Sequence, residues 1–198
     1  MEYYALNQYL KDTFGEKVYK IALDGGFTCP NRDGTLGTGG CIFCSGQGSG
    51  DFAQCRTLSV TEQLARGKEQ IAQKYRGAKY IAYFQAFTNT YAPKERLRAL
   101  YEEAMSDAQV AALSIATRPD CLPDEVIWLL KELNKRKPVW VELGLQTIHE
   151  KTARYIRRGY ALAVYDEAVR KLKEAGLQVI VHVILGLPYE TKEEMKET

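Results

Sequence analysis

Long apolar stretches are missing from this chain of 198 residues. The most apolar segment, residues 179–188, contains His182 and is far shorter than the roughly 18 residues that a membrane-spanning helix needs. The N-terminus also lacks a basic region followed by an apolar one, which is the pattern of a signal peptide. We therefore expect a cytoplasmic protein with no membrane contact.

A strong net charge is also missing. Lys and Arg number 27 against 25 Asp and Glu, which gives a formal charge of +2 and assigns no partner by itself. The charge is unevenly spread, because residues 131–158 contain eight basic and three acidic side chains, a local +5. This segment is either a solvated helical face or a contact for an anionic partner, and both interpretations stay open.

Composition and periodicity indicate a folded α/β protein. Hydrophobic residues make up 45% and charged residues 26% of the chain, which excludes disordered and collagen-like classes. Predicted strands and helices alternate, which gives right-handed crossovers and a parallel sheet, open or curled into a barrel. The predicted strands are residues 18–24, 79–87, 110–116, 139–145 and 178–185. The predicted helices are residues 4–11, 59–75 and 164–175, with two more that begin at Pro93 and Pro123.

The last residues predict the start of another helix. Thr191 and Glu194 have the spacing of a capping box, yet the sequence stops four residues later. We therefore expect a chain that is truncated after the fifth strand of a longer natural protein.

Cysteine is scarce, and its distribution is informative. The five cysteines are odd in number and accompany no signal peptide, which argues against a disulfide framework. Cys41 and Cys44 form a C-x2-C pair, and Cys29 lies twelve positions upstream in a glycine-rich loop. Thiolates select zinc or an iron–sulfur cluster. With Cys55 as a fourth ligand the loop would form a closed zinc site, whereas three thiolates would leave one iron of a [4Fe–4S] cluster open.

The segments that follow the strands resemble the radical S-adenosylmethionine (SAM) superfamily. Within it, the chain resembles the branch of oxygen-independent coproporphyrinogen oxidase and the elongator catalytic subunit, and most closely the bacterial YtqA/YhcC-like family with its expanded C-x11-C-x2-C loop. The matching segments are the cysteine loop, QAFTNT at 85–90, SIATRPD at 114–120, ELGLQT at 142–147 and ILGLPYET at 184–191. The resemblance implies a partial (βα) TIM-like barrel of the radical SAM type, with residues 1–17 as a helical extension and residues 18–198 as the core.

The resemblance also implies the cofactors. Cys29, Cys41 and Cys44 would ligate three irons of a [4Fe–4S] cluster, and the fourth iron would chelate the amino and carboxylate groups of SAM. Phe43 would lie near the adenine. An external one-electron reductant would drive cleavage of SAM to a 5′-deoxyadenosyl radical.

Further SAM contacts are implied by position in the family motifs. Residues 85–88 occupy the place of the segment that binds the methionyl amino group. The usual glycines are absent, so the contact would come from the backbone or from Gln85 and Thr88. Gln146 would reach the ribose or carboxylate, and Arg158 would pair with the SAM carboxylate. His182 stands where relatives have an acid that faces the adenosine.

One family contact is altered on the third strand, where Ala116 replaces a glutamate. The resemblance therefore implies that Thr117 or Arg118 makes this contact, or that the contact is lost. Arg118, before a proline, could instead anchor a turn. Glu142 and Gln146 could be buried polar residues satisfied by the backbone.

Other residues have structural interpretations beside the functional ones. His182, between two valines, could be a core histidine. Arg154, Arg157 and Arg158, together with Lys151, could form an exposed helix face, although Lys151, Arg154 and Arg158 share one side. Cys55 and Cys121 are expected to be spare thiols.

The resemblance implies a substrate, and three interpretations stay open. The relatives imply a radical SAM enzyme that modifies the side chain of wobble 2-thiouridine in tRNA. A radical SAM enzyme that acts on a small molecule is the first alternative. A zinc-stabilised, tRNA-binding or scaffold protein without radical chemistry is the second. The sequence leaves no trace of oligomeric state.

Overall fold

Five parallel strands form one sheet in the computed structural model, which describes residues 3–73 and 79–198. The strands follow one another in space as they do along the chain. They are β1 (Val18–Leu23), β2 (Lys79–Phe84), β3 (Val110–Thr117), β4 (Val139–Gln146) and β5 (Gln178–Val183). The predicted α/β fold with a parallel sheet is confirmed.

Helices occupy the connections between the strands. Ser59 and Glu62 form a capping box at the start of α2, and Thr191 and Glu194 form the one predicted at the start of α7. The predicted end of α2 at Tyr75 lies outside the described residues. The helices are α1 (Leu6–Phe14), α2 (Val60–Ala72), α3 (Lys94–Ser106), α4 (Asp124–Asn134), α5 (Glu150–Tyr155), α6 (Leu162–Glu174) and α7 (Lys192–Glu197).

Several predicted boundaries differ from those of the structure. β2 ends at Phe84 rather than at residue 87, because the backbone N–H of Phe87 donates to the carbonyl of Gly48 instead of to a neighbouring strand. Phe87 also has a positive φ of 61°, which is not strand geometry. β5 ends two residues earlier than predicted, at Val183, and α1 extends to Phe14. Helix α5 was not predicted.

The two faces of the sheet differ in what covers them. On one face, strand residues such as Leu23, Phe84 and Ile115 pack in the main core with residues of the helices. On the other face, Val18, Ile81, Ala112 and Trp140 form a smaller apolar layer that Leu10 of α1 covers. Helix α1 therefore packs directly on the sheet and closes the amino end of this face. The division into residues 1–17 and 18–198 stays a prediction.

Edge strand β5 carries apolar side chains that remain exposed. Val181, Val183 and Leu185 are all exposed, the last of them just beyond the strand. In the described part of the chain, no helix combines the length and the apolar composition needed to cross a bilayer.

Candidate functional site

The cysteine loop, residues 24–59, leaves the carboxyl end of β1 and is held in shape by its own side chains. Arg32 donates from Nη2 to the carbonyls of Cys44 and Ser45, at 3.1 and 2.7 Å. This guanidinium joins the part of the loop that follows Cys29 to the C-x2-C pair. The carboxyl ends of parallel strands are where α/β folds bind ligands.

Asn31 ties the same loop to the segment after β4. Its Nδ2 donates to the carbonyls of Arg157 and Arg158, at 2.9 and 3.1 Å, and lies 3.4 Å from the Sγ of Cys41. The amide therefore holds the two segments together and directs an N–H group at a predicted ligand. Hydrogen bonds to cysteine sulfurs tune iron–sulfur clusters.

The thiols of Cys29, Cys41 and Cys44 line one pocket with a volume of about 190 Å³. Burial raises the pKa of Cys41, and the hydrogen bond from Asn31 opposes that rise. The hydroxyl of Ser49 lies 3.6 Å from the Sγ of Cys44. The three predicted ligands therefore share one pocket, and two of them have a polar hydrogen-bond donor beside the sulfur.

Cys55 lies apart from this pocket. Its thiol is exposed and lies 3.1 Å from the hydroxyl of Thr57, a hydrogen bond that lowers its pKa. Cys121 is buried in the short turn after β3, where burial raises its pKa to about 12. Neither cysteine lines the pocket of the three predicted ligands, in agreement with the interpretation of both as spare thiols.

The structure brings all eleven predicted site residues to this one pocket. Their individual roles stay predictions. The eleven are Cys29, Cys41, Phe43, Cys44, Gln85, Thr88, Thr117, Arg118, Gln146, Arg158 and His182.

Gln146 is held at the end of β4 by a tight local arrangement. The hydroxyl of Tyr160 lies 2.7 Å from the carbonyl of Gly144 and 3.0 Å from Oε1 of Gln146. A Cβ at Gly144 would lie only 2.4 Å from Nε2 of Gln146, so glycine leaves the space that this amide fills. Tyr160 was not predicted as a site residue, because no motif contains it.

Arg118 and Thr117 are anchored by neighbours after β3. The guanidinium of Arg118 binds both carboxylate oxygens of Asp120, at 2.9 and 2.7 Å, and donates to the carbonyl of Arg158 at 2.9 Å. The hydroxyl of Thr117 lies 2.6 Å from that of Thr90. Arg118 therefore anchors the turn after its strand, which is the structural interpretation of this residue.

Arg158 does not belong to an exposed helical face, and that interpretation is wrong. Its side chain is 1% exposed because the chain turns inward after α5. The guanidinium donates to the carbonyls of Leu145 and Thr147, at 2.8 and 2.6 Å, and to that of Tyr160 at 3.0 Å. Arg158 therefore holds the end of β4 against the following segment. Its pairing with the SAM carboxylate stays a prediction.

The basic segment is not one surface. Its first half, residues 131–137, precedes β4, whereas Lys151, Arg154 and Arg157 follow it at the pocket end. The eight residues of β4 separate the two groups by about 25 Å. A second cleft of about 640 Å³ beside the cysteine loop is lined by Arg154, Arg157 and the loop residues 36–40.

Glu142 is the main site residue that sequence analysis did not assign. It is 3% exposed, and its partners are side chains rather than the backbone, so the alternative of backbone satisfaction is wrong. Oε2 accepts from Nε2 of His182 at 2.7 Å, and Oε1 accepts from Lys20 and Ser114. Burial raises the pKa of Glu142, but the hydrogen bonds from His182, Lys20 and Ser114 outweigh it and hold the pKa at about 2.

His182 is not a core histidine, since 45% of its side chain is exposed. A signal for this network was present in the sequence. Each predicted strand contains at least one hydrogen-bonding residue, and in each strand one of them belongs to a set that spans the sheet. These five residues are Lys20, Tyr83, Ser114, Glu142 and His182.

Comparison with known protein families identifies the family to which this chain belongs. The profile of the radical SAM superfamily matches residues 31–198, a segment that includes Cys41 and Cys44 and begins two residues after Cys29. The chain belongs to the radical SAM superfamily. The family prediction is thereby confirmed.

Curated relatives of this radical SAM chain include two bacterial proteins. It is 54% identical over 196 residues to the uncharacterized protein YtqA of Bacillus subtilis, which covers 99% of this chain and 61% of YtqA. It is 45% identical over 186 residues to the protein YhcC of Escherichia coli, which covers 93% of this chain and 59% of YhcC. The chain thus spans about three fifths of the length of these relatives.

Solved structures agree on the fold. The archaeal Elp3 of Methanocaldococcus infernus superposes with a TM-score of 0.63 at 22% identity, over 91% of this chain and 41% of that one. Coproporphyrinogen III oxidase (HemN) of Escherichia coli, a radical SAM enzyme, gives 0.57 at 15% identity, over 98% of this chain and 44% of that one. The TIM-like radical SAM fold predicted for the chain is confirmed.

The residues of the pocket fit the cofactors of the superfamily, a [4Fe–4S] cluster and SAM. Three soft thiol donors share the pocket, and the fourth iron of a cluster would be left without a protein thiolate. In the described residues, no three or more Cys, His, Asp or Glu side chains are arranged so that they could hold a single metal ion. Ligands of a cluster bind separate irons, so their sulfurs need not converge on one point.

Proposed function

We propose that this protein is a radical SAM enzyme that reductively cleaves SAM at a [4Fe–4S] cluster. The observation that carries the proposal is the presence of three cysteines and eight predicted SAM contacts in one pocket at the carboxyl end of the sheet. When bound, the cluster and SAM supply one-electron chemistry that yields a 5′-deoxyadenosyl radical. An external one-electron reductant is required.

The side chains of the pocket have defined tasks in this proposal. Cys29, Cys41 and Cys44 hold the cluster, and Asn31 and Ser49 donate to the sulfurs of the last two. These donors stabilise negative charge on the ligands.

The remaining residues bind and orient SAM. Gln85 and Thr88 receive the methionyl end, Arg158 and Gln146 the carboxylate and ribose, and Phe43 and His182 the adenosine. Thr117 and Arg118 complete the wall. The protein contributes position and shielding from water, while the cofactors carry the chemistry.

Anaerobic turnover tests this proposal directly. The natural full-length protein, loaded with iron and sulfide, is incubated with SAM and dithionite. We expect 5′-deoxyadenosine and methionine as products, with none from a Cys44→Ser control. Absence of 5′-deoxyadenosine from cluster-loaded protein would refute the proposed function.

For the substrate we propose the wobble 2-thiouridine side chain of tRNA, in the maturation of its 5-aminomethyl-type group. The chain is 32% identical over 83 residues, 42% of its length, to a tRNA uridine(34) acetyltransferase of Methanocaldococcus jannaschii, of which the match covers 15%. Lys151, Arg154 and Arg157 supply positive charge at the pocket end of the sheet. Exposed Lys and Arg at that position suit RNA phosphates.

Nucleoside analysis tests the substrate separately. In a strain that lacks the gene, mass spectrometry should find altered wobble 2-thiouridine derivatives in tRNA. An unchanged profile would refute the tRNA substrate and favour a small molecule, while the radical SAM proposal would stand. The exposed, separate position of Cys55 argues against the zinc scaffold, which needs a fourth thiolate. The cytoplasmic location stays a prediction.

A further inference from the structure

The side chain of Tyr160 is fixed in the wall of the cofactor pocket by two arginines. The guanidinium carbons of Arg118 and Arg158 lie 4.9 and 4.7 Å from the centre of its ring, within the range of cation–π contacts. Its hydroxyl lies 2.7 Å from the carbonyl of Gly144 and 3.0 Å from the end of the Gln146 side chain. All five residues line the pocket that contains the three cysteines. Tyr160 therefore links the two arginines to the amide of Gln146.

The backbone of β4 is irregular where it presents this amide. The pairing of β4 with β5 shifts register between Gly144 and Gln146, and Gln146 has a positive φ of 61°. A register shift re-aims side chains, and a positive φ is strained for a residue other than glycine. Gly144 leaves room for the amide, since a Cβ there would lie 2.4 Å from one of its terminal atoms. The end of the strand is therefore shaped around one side-chain amide.

The two contacts of the Tyr160 hydroxyl determine which way the amide faces. A phenol has one proton to donate, and the carbonyl of Gly144 can only accept it. The separation of 2.7 Å is typical of an O–H···O bond, so Tyr160 donates to Gly144. The hydroxyl then offers a lone pair to Gln146, and 3.0 Å is typical of an N–H···O bond. Both contacts are satisfied when Nε2 donates to Tyr160 and Oε1 lies over Gly144, half a turn from the orientation in which Oε1 faces the hydroxyl.

The amide atom over Gly144 is available to a ligand in the pocket. In the part of the chain that the structure describes, this atom has no hydrogen-bond partner, and it is not among the buried unpartnered atoms. An oxygen at this position suits a ligand group that donates and repels a carboxylate, which only accepts. SAM has donors in its ribose hydroxyls and its amino group, and the amino group is expected at the cluster. The ribose hydroxyls are therefore the part of SAM that this oxygen fits.

We propose that Tyr160 is a positioning residue that turns the amide of Gln146 so that its oxygen accepts a hydrogen bond from a ribose hydroxyl of SAM. This inference rests on the proposed function. It decides between the two SAM groups expected at Gln146, the ribose and the carboxylate. The carboxylate is then left to Arg158, whose guanidinium offers it a charged donor.

SAM and its 2′,3′-dideoxy analogue, which lacks both ribose hydroxyls, test the inference. Their affinities for the full-length, cluster-loaded protein are measured by anaerobic equilibrium dialysis without reductant. Gln146→Ala should reduce the ratio of the two affinities by about fivefold, as expected for one neutral hydrogen bond. Tyr160→Phe keeps the ring beside the arginines but frees the amide to turn, so the ratio should fall by about threefold. Tyr160→Phe with Gln146→Glu should restore the ratio, because a carboxylate presents an oxygen whichever way it turns.

Tyr165→Phe is the matched control. The hydroxyl of Tyr165, on α6, is buried without a hydrogen-bond partner in the described residues, so this variant should keep both wild-type affinities. A purely structural role of Tyr160 would weaken SAM and the analogue equally. An unchanged ratio in Tyr160→Phe, or no restoration in the double variant, would overturn the inference, while SAM binding by the wild type would leave the proposed function standing. Failure of the cluster-loaded wild type to bind SAM would overturn both.

Discussion

At the scale of single residues, the pocket is held together by side chains that bind backbone carbonyls of distant segments. Asn31 and Arg118 both donate to the carbonyl of Arg158, from the loop after β1 and from the end of β3. Arg158 in turn donates to carbonyls at the end of β4. Buried carbonyls that lose such partners are costly, so these residues stabilise the site whatever else they bind.

Arg158→Ala should lower the free energy of unfolding by about 3 kcal/mol, because buried carbonyls lose a charged donor. If Arg158 also binds SAM, SAM affinity should fall by about 1.5–3 kcal/mol. Urea unfolding and titration calorimetry measure the two effects. Arg154→Ala, an exposed arginine on α5, should change stability by less than about 0.5 kcal/mol. Equal stability of Arg158→Ala and wild type would contradict the role of Arg158 as a donor to buried carbonyls.

Glu142 should make stability depend on pH in the acid range. Its pKa is lowered from 4.5 to about 2 in the folded chain, so the stabilisation is complete above about pH 4.5 and is lost as the pH falls toward 2. The difference of about 2.5 units corresponds to roughly 3 kcal/mol at most. Urea unfolding of the cluster-free chain from about pH 7 to pH 3 should show this loss in wild type and not in Glu142→Gln.

Glu174→Gln, on the exposed surface of α6, is the control for the pH measurement and should keep the wild-type slope. An identical slope in Glu142→Gln would show that the network does not hold this carboxylate ionised.

The sequence, through its resemblance to the family, was sufficient to predict which residues gather at the pocket. Most of them lie at or just after the carboxyl ends of strands, which meet at one edge of a parallel sheet. The sequence could not predict the hydrogen bonds that these side chains make. The partners of Arg158 and Glu142 lie on other elements, and they depend on the register between strands. The central role of Glu142 needed the folded sheet, since Lys20, Ser114 and His182, which bind it, come from β1, β3 and β5.

At the scale of elements, long periodic segments were predictable and short ones were not. The predicted strands and the longer helices are present, with ends shifted by a few residues. Helix α5 has only six residues, too few for a periodic pattern, and its position depends on contacts such as Glu150 accepting from the backbone N–H of Leu162. β2 is shorter than its apolar run because the cysteine loop takes the N–H of Phe87.

Helix α1 offers a test at this scale, because it covers the amino end of the face that carries the site. Leu10 is 5% exposed in the layer with Trp140, whereas Leu6 on the same helix is 49% exposed. Leu10→Ala should lower the free energy of unfolding by about 2–4 kcal/mol, while Leu6→Ala should change it by less than about 0.5 kcal/mol. Similar small effects in both would mean that α1 is a dispensable extension.

At the scale of the whole molecule, the basic residues of the segment 131–158 are divided between the two ends of the sheet. The half of the basic segment before β4 lies at the end opposite the pocket, so only the half after β4 can contact a substrate that enters there. Local net charge counted along the sequence could not reveal this division, because β4 lies inside the counted segment.

The salt dependence of tRNA binding tests this division of the basic residues. Arg157→Ala in the full-length protein should reduce the slope of log affinity for tRNA against log salt by about 1, the effect of one lost phosphate contact. Lys135→Ala, at the opposite end of the sheet, should leave the slope unchanged. The reverse result would move the RNA contact away from the pocket.

The central claim is that Cys29, Cys41 and Cys44 alone hold a [4Fe–4S] cluster, and the iron and sulfide content of cysteine variants tests it most directly. After anaerobic reconstitution, wild type and Cys55→Ala should each contain roughly four irons and four sulfides per chain, while Ala at any of the three ligands should abolish the cluster and its brown colour. One zinc per chain in wild type, or loss of the metal in Cys55→Ala, would contradict the account.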